Sequence, residues 1–251
     1  MGTLNLKLAG IPETETETCD IMMLNGKFVI FRNNASSMCL FSRDGRCLEK
    51  TTDLSECNWG SYFRVKHYMN MYHTGNQKMC LTKYADSSFF CWKKFSNIVL
   101  VCEKREEKIQ VVQPLNLRMS IELLCYERVS GNILAISREG QPGNFECENE
   151  LQNCIYIFDM QGIIVEYIFV TMTDVQLESA TGIAVSNGVI VLSFSGEHKV
   201  VGIGMEGNVV FTYTHDTLRA PGAPQIGPEG NFFITSTCSV GAKKAVCRIT
   251  V

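Results

Sequence analysis

Four histidines, His67, His73, His198 and His215, are the first candidates for chemistry in this chain of 251 residues. Metal-dependent hydrolysis or elimination needs His, Asp or Glu recurring at matched positions, so that several side chains share one ion. These four do not recur at a fixed interval, and no metal centre or cofactor is expected. No G-x-S-x-G elbow offers a serine nucleophile. Gly202-Ile203-Gly204 lacks the third glycine of a phosphate-cradling loop. Twelve cysteines include no C-x₂-C pair, so zinc-finger chemistry is excluded. Most sit in apolar runs, such as "LLCYE" around Cys125 and "CIYIF" at Cys154, and read as buried thiols. The run "FFCWKKF", Phe89 to Phe95, mixes aromatics with Lys93 and Lys94 and could stack bases. A net charge of −3 argues against that use and for a strand with solvated lysines.

The elements that would position any site are short strands. Seven turn dipeptides end in glycine and lead into β-branched or aromatic runs. They are Asn25-Gly26, Asp44-Gly45, Ser130-Gly131, Gln161-Gly162, Asn187-Gly188, Glu206-Gly207 and Glu229-Gly230. Glycine adopts the positive φ of a tight hairpin without steric cost. Gly26 to Gly45 spans 19 residues, as does Gly188 to Gly207, and Gly188 to Gly230 spans 42. A period near 42 that holds four short strands predicts an all-β fold, a β-propeller of about six four-stranded blades, one of them incomplete. The blades fall at about 20–60, 61–94, 95–118 (degenerate), 119–170, 171–215 and 216–251, with 11–19 as a linker. Residues 1–10 are expected to supply a ring-closing strand that removes two open edges.

The stretches "SATGIAVSNGVIVLSFSGEHKVVGIGMEGNVVFTY" and "LRAPGAPQIGPEGNFFITS" resemble NHL repeats. The layout resembles the C-terminal propeller of tripartite-motif proteins. Thr181-Gly182-Ile183-Ala184-Val185-Ser186 keeps most of the usual repeat start, without its aspartate. The resemblance implies a recognition domain. The family's ubiquitin-ligase activity belongs to RING and B-box modules, which this sequence does not contain. The chain is therefore expected to be no enzyme but a module that binds a protein partner. An RNA-binding propeller is the second reading, and a metal-dependent lactonase or lyase the third.

Up-and-down blades place the glycine turns on one rim. The loops between second and third strands, and the connections between blades, fall on the other. Loops on a rigid scaffold carry function. The expected contact residues are Asn33, Asn34, His73, Asn76, Gln77, Arg138, Glu139, Gln141, Asn144, Asp174, Glu197, His198, Arg219, Lys243 and Lys244. The start of the chain has no basic-then-apolar leader, and no apolar run is long enough to span a bilayer. A cytoplasmic protein without membrane or DNA contacts is expected.

Overall fold

The computed structural model describes residues 18–24, 27–32, 37–41, 47–53, 79–94, 96–106, 108–137, 153–171, 175–214, 218–227, 230–237 and 244–249. The expected ring-closing strand at 1–10 lies outside these residues. Among them no helix is long and apolar enough to cross a membrane. The chain divides into two compact units, Met1–Asn116 and Leu117–Val251.

The first unit opens with a four-stranded antiparallel sheet. It takes β1 (Thr18–Leu24), β2 (Lys27–Arg32), β3 (Ser37–Phe41) and β4 (Cys47–Asp53) in chain order. Then β5 (Met79–Lys83), β6 (Ser88–Lys93) and β7 (Ser96–Arg105) form a second meander. Strand β8 (Lys108–Glu127) is 20 residues long and spans the boundary between the units. Its extended backbone breaks at Arg118, where φ is 57°. A left-handed conformation costs a side-chain-bearing residue on the order of 1 kcal/mol. Pairing with the next strand begins at Ile121.

In the second unit, the end of β8 continues through β9 (Asn132–Ser137), β10 (Cys154–Phe158) and β11 (Ile164–Phe169). A full four-stranded sheet follows: β12 (Gly182–Ser186), β13 (Val189–Phe194), β14 (Lys199–Gly204) and β15 (Val209–Thr214). The last sheet holds β16 (Gln225–Ile226), β17 (Phe232–Thr237) and β18 (Lys244–Ile249). Five turn glycines fall among the described residues, and all have positive φ: Gly131, Gly162, Gly188, Gly207 and Gly230, between 72° and 84°. Each closes a hairpin between two consecutive antiparallel strands.

Alternation along β12–β15 serves two cores. Ile183, Val185, Ile190, Leu192, Phe194, Val201 and Ile203 pack against Leu123, Cys125, Leu134, Ile136, Ile155, Ile157 and Ile168 of the preceding sheet. Ala184, Val191 and Val200 project from the opposite face, against Leu218, Phe232 and Ile234 of the last sheet. Period-two alternation thus lets one sheet bury both faces between its neighbours. Each fully buried large side chain contributes about 1.5–3 kcal/mol of transfer free energy.

The five described cysteines that are buried, Cys80, Cys91, Cys102, Cys125 and Cys154, are free thiols, as the apolar surroundings in the sequence suggest. Burial pushes the Cys125 thiol far above its ordinary range, with the Glu127 carboxylate adding to the effect. It is a packing residue rather than a nucleophile. The first four residues of "FFCWKKF" are core: Phe89, Phe90 and Cys91 are inaccessible and Trp92 is 3% exposed. Rings packed in this way cannot stack on bases.

Candidate functional site

The ends of β12 and β13, the start of β14 and the connection into β16 meet in a cluster of polar side chains. Thr181 lies one residue before β12. Its N–H donates to the Ser193 carbonyl at 2.7 Å. Its hydroxyl accepts the Ser195 N–H at 3.2 Å and stands 2.9 Å from the Ser195 hydroxyl. The Ser195 hydroxyl in turn donates to the Pro221 carbonyl at 2.5 Å. This chain of bonds ties three segments together at a sheet end, where backbone groups would otherwise lack ladder partners.

Glycine makes the close approach feasible. A Cβ on Gly182 would meet the Ala223 Cα at 2.5 Å and the Ser193 Oγ at 2.8 Å. A Cβ on Gly222 would run into the Thr235 hydroxyl. The Gly222 N–H donates to the Thr235 carbonyl at 2.8 Å. The glycine of "TGIAVS" is therefore a contact point between neighbouring sheets, and that of "PGAP" lets the connection into β16 lie against β17.

Beyond this latch lies the β13–β14 turn, Ser195 to His198. The Glu197 carboxylate accepts from Lys199 Nζ at 2.5 Å and from the Ser179 hydroxyl at 2.7 Å. The Lys199 ammonium also stands 5.0 Å above the Phe194 ring centre, a cation–π contact. The hydrogen bond from Lys199, then that from Ser179, hold the Glu197 carboxyl below the usual carboxylate range. A depressed folded value means stability that is fully present above the unfolded carboxylate pKa of about 4.3 and is lost as pH falls through the lower folded value. Because 42% of the Glu197 side chain is exposed, solvent screening keeps this near 0.5 kcal/mol. Melting curves of Glu197→Gln and the parent chain are expected to differ slightly at pH 6 and to converge below about pH 4. A constant gap across that range would show the carboxylate to be inert.

His198 is exposed, yet its ring is fixed. The Ala220 N–H donates to its Nδ1 at 3.0 Å. An acceptor at Nδ1 places the ring proton on Nε2, so the neutral imidazole presents an N–H donor. Both partners in this bond are left-handed residues other than glycine: φ is 55° at His198 and 42° at Ala220. Exposed Arg219 precedes Ala220. The end thus offers an N–H donor beside a carboxylate already committed to Lys199, with the exposed Arg219 next to them in the chain segment of Ala220. That set suits recognition of a group rich in acceptors.

Of the expected contact residues, Glu197, His198 and Arg219 are described, and the structure brings them to one end of the second unit. Lys244 opens β18 opposite Thr237. Asn33, Asn34, His73, Asn76, Gln77, Arg138, Glu139, Gln141, Asn144, Asp174 and Lys243 lie outside the described residues. Sequence reading missed Ser179, Thr181, Ser195 and Lys199. Only the Glu197–Lys199 pair, two apart across a turn, carries a local signal.

No family model matches the sequence, and no curated protein matches it. Solved structures do share its fold. Glutaminyl cyclase from Myxococcus xanthus superposes with a TM-score of 0.57 at 13% identity, over 94% of this chain and 92% of that one. Virginiamycin B lyase from Staphylococcus aureus gives 0.53 at 14%, over 94% and 85%. A streptogramin B lyase gives 0.55 at 12%, over 96% and 85%. These relatives correct one expectation. The chain was expected to be no enzyme, yet the three propellers it resembles over nearly its whole length are a cyclase and two lyases. None of the three is a tripartite-motif protein, and what they share with this chain is its architecture. The chain folds as an all-β propeller.

Proposed function

We propose that this chain is a recognition propeller that binds a protein partner through the end where the β13–β14 turn meets the connection into β16. The observation that carries the reading is the His198–Ala220 bond. Two left-handed residues other than glycine cost on the order of 1 kcal/mol each, and such strain concentrates at binding and catalytic sites. Here it fixes the orientation of the exposed imidazole. In the setting implied by the NHL resemblance, this propeller would choose the target of a cytoplasmic ligase assembly. Quantitative affinity capture with the double variant His198→Ala/Arg219→Ala tests the reading. The captured proteins should fall at least tenfold and be insensitive to RNase. Gln161→Ala, beside the glycine turns, should leave them unchanged. Equal loss with Gln161→Ala would sink the face assignment, and loss on RNase treatment would favour RNA.

A second reading is catalytic, and the observation that favours it is the fold shared with a glutaminyl cyclase and streptogramin B lyases. On this reading the same end holds a small substrate. Assays of the chain for glutaminyl cyclisation and for streptogramin B cleavage test it directly. Turnover that disappears in His198→Ala would replace recognition with catalysis.

A further inference from the structure

Strand β11 ends its sheet, so among the described residues one of its edges has no partner strand, and only its Phe169 end meets the turn at Gly207. Its sequence faces solvent with large apolar side chains. Val165, Tyr167 and Phe169 are 53%, 58% and 46% exposed, and Ile163 just before them is 62% exposed. Alternation puts Tyr167 and Phe169 on one face, and a β-bulge at Val165, between Ile164 and Glu166, interrupts the alternation before them. On the other face Ile168 is buried in the core and Glu166 is exposed. The Val170 N–H donates to the Asn153 carbonyl in the ladder with β10. Two-residue alternation then turns the backbone groups of Tyr167 toward the open edge. Neither lysine nor proline, the usual guards of an exposed edge, occurs in β11. The outer strand of the next sheet, β15, exposes fewer large apolar side chains, Val210 at 50% and Tyr213 at 37%, beside Thr212 and Thr214. An exposed apolar stripe of this kind marks an interaction surface.

Charge selects the occupant. Between Arg138 and Arg219 the chain holds eleven acidic residues and one basic residue, Lys199, in a protein whose net charge is only −3. Lys199 is itself committed to Glu197. A second copy of this chain fits poorly. Antiparallel pairing of two β11 strands that covers residues 163 to 169 centres on Glu166. It sets that carboxylate against its own copy, and like charges directly opposite are destabilising. Nucleic acid is repelled by the same acidity. An extended segment with apolar residues at alternate positions and a basic residue between them satisfies the stripe, the open backbone edge and Glu166 together.

We propose that β11 receives an extended, basic and apolar segment of a partner protein as an added strand, with a lysine or arginine opposite Glu166. The test uses the full chain and two labelled ten-residue peptides of alternating valine and serine, one with a central lysine and one with glutamate in its place. Fluorescence anisotropy should show the lysine peptide binding at least tenfold more tightly. Glu166→Lys should reverse that order, and Tyr167→Ser should weaken binding of the lysine peptide at least tenfold. Both positions are exposed, so thermal melts should be unchanged. Amide exchange at Tyr167 should slow when the lysine peptide is bound, which generic apolar adhesion would not produce. Equal affinity for the two peptides, no binding of either, or unaltered exchange at Tyr167 overturns the proposal. So does a dimer in light scattering that Tyr167→Ser abolishes. Variants of His198 and Arg219 should leave peptide binding intact, which separates this surface from the loop end.

Discussion

Phe194→Ala is expected to lower the unfolding free energy by about 3–5 kcal/mol, the usual range for deleting a fully buried aromatic ring. The ring is inaccessible to solvent and belongs to the core between β8–β11 and β12–β15. The sheets on either side are each tied into ladders, so they cannot collapse into the space the ring leaves. The same substitution removes the surface on which the Lys199 ammonium rests. It should therefore loosen the Glu197–Lys199 pair beyond the general loss of stability. Phe194→Leu retains most of the buried volume and should cost less than half as much. Urea titration of the three chains measures both effects. A loss under 1 kcal/mol for Phe194→Ala would mean that this core is loosely packed.

Gly207→Ala is expected to cost about 2–4 kcal/mol, because two penalties coincide. Gly207 holds φ at 84°, and a Cβ there would collide with the Phe169 carbonyl of the preceding sheet. A backbone oxygen cannot swing aside as a flexible side chain could. Gly188 supplies the control. It sits at φ 72° in a turn of the same kind, with nothing within 4 Å of an added Cβ. Gly188→Ala should cost only the conformational part, about 1 kcal/mol. Thermal or urea unfolding of the pair separates turn strain from inter-sheet packing. Equal losses would show that the contact with Phe169 relaxes freely.

The two glycines look alike in sequence, each closing a turn dipeptide before a run of valines or isoleucines. That likeness was enough to read hairpins and all-β architecture, since positive φ is a local demand that glycine meets. The two-residue alternation in "VIVLSF" and "NILAIS" was equally legible, because burial on a sheet face follows from strand geometry alone. Long-range placement was not. Nothing local marks Gly207 as packed on Phe169 and Gly188 as open. "FFCWKKF" carried the same letters whether its rings met bases or filled a core, and only the packing of strand β6 decided for the core.

The candidate site divides along the same line. Glu197, His198 and Arg219 were nameable from sequence as residues of loops on one rim. Their convergence depends on contacts across 22 residues of chain, from His198 to Ala220. Thr181, Ser195 and Pro221 come together over 40. Local sequence, through turn chemistry and alternation, determined strands, hairpins and which side chains are apolar. Packing of one sheet on the next decided which loops meet, which glycines are contact points, and that the outer edge of β11 takes no partner strand among the described residues. Those outcomes depend on distances between segments far apart in the chain, and they follow only once the sheets have packed together.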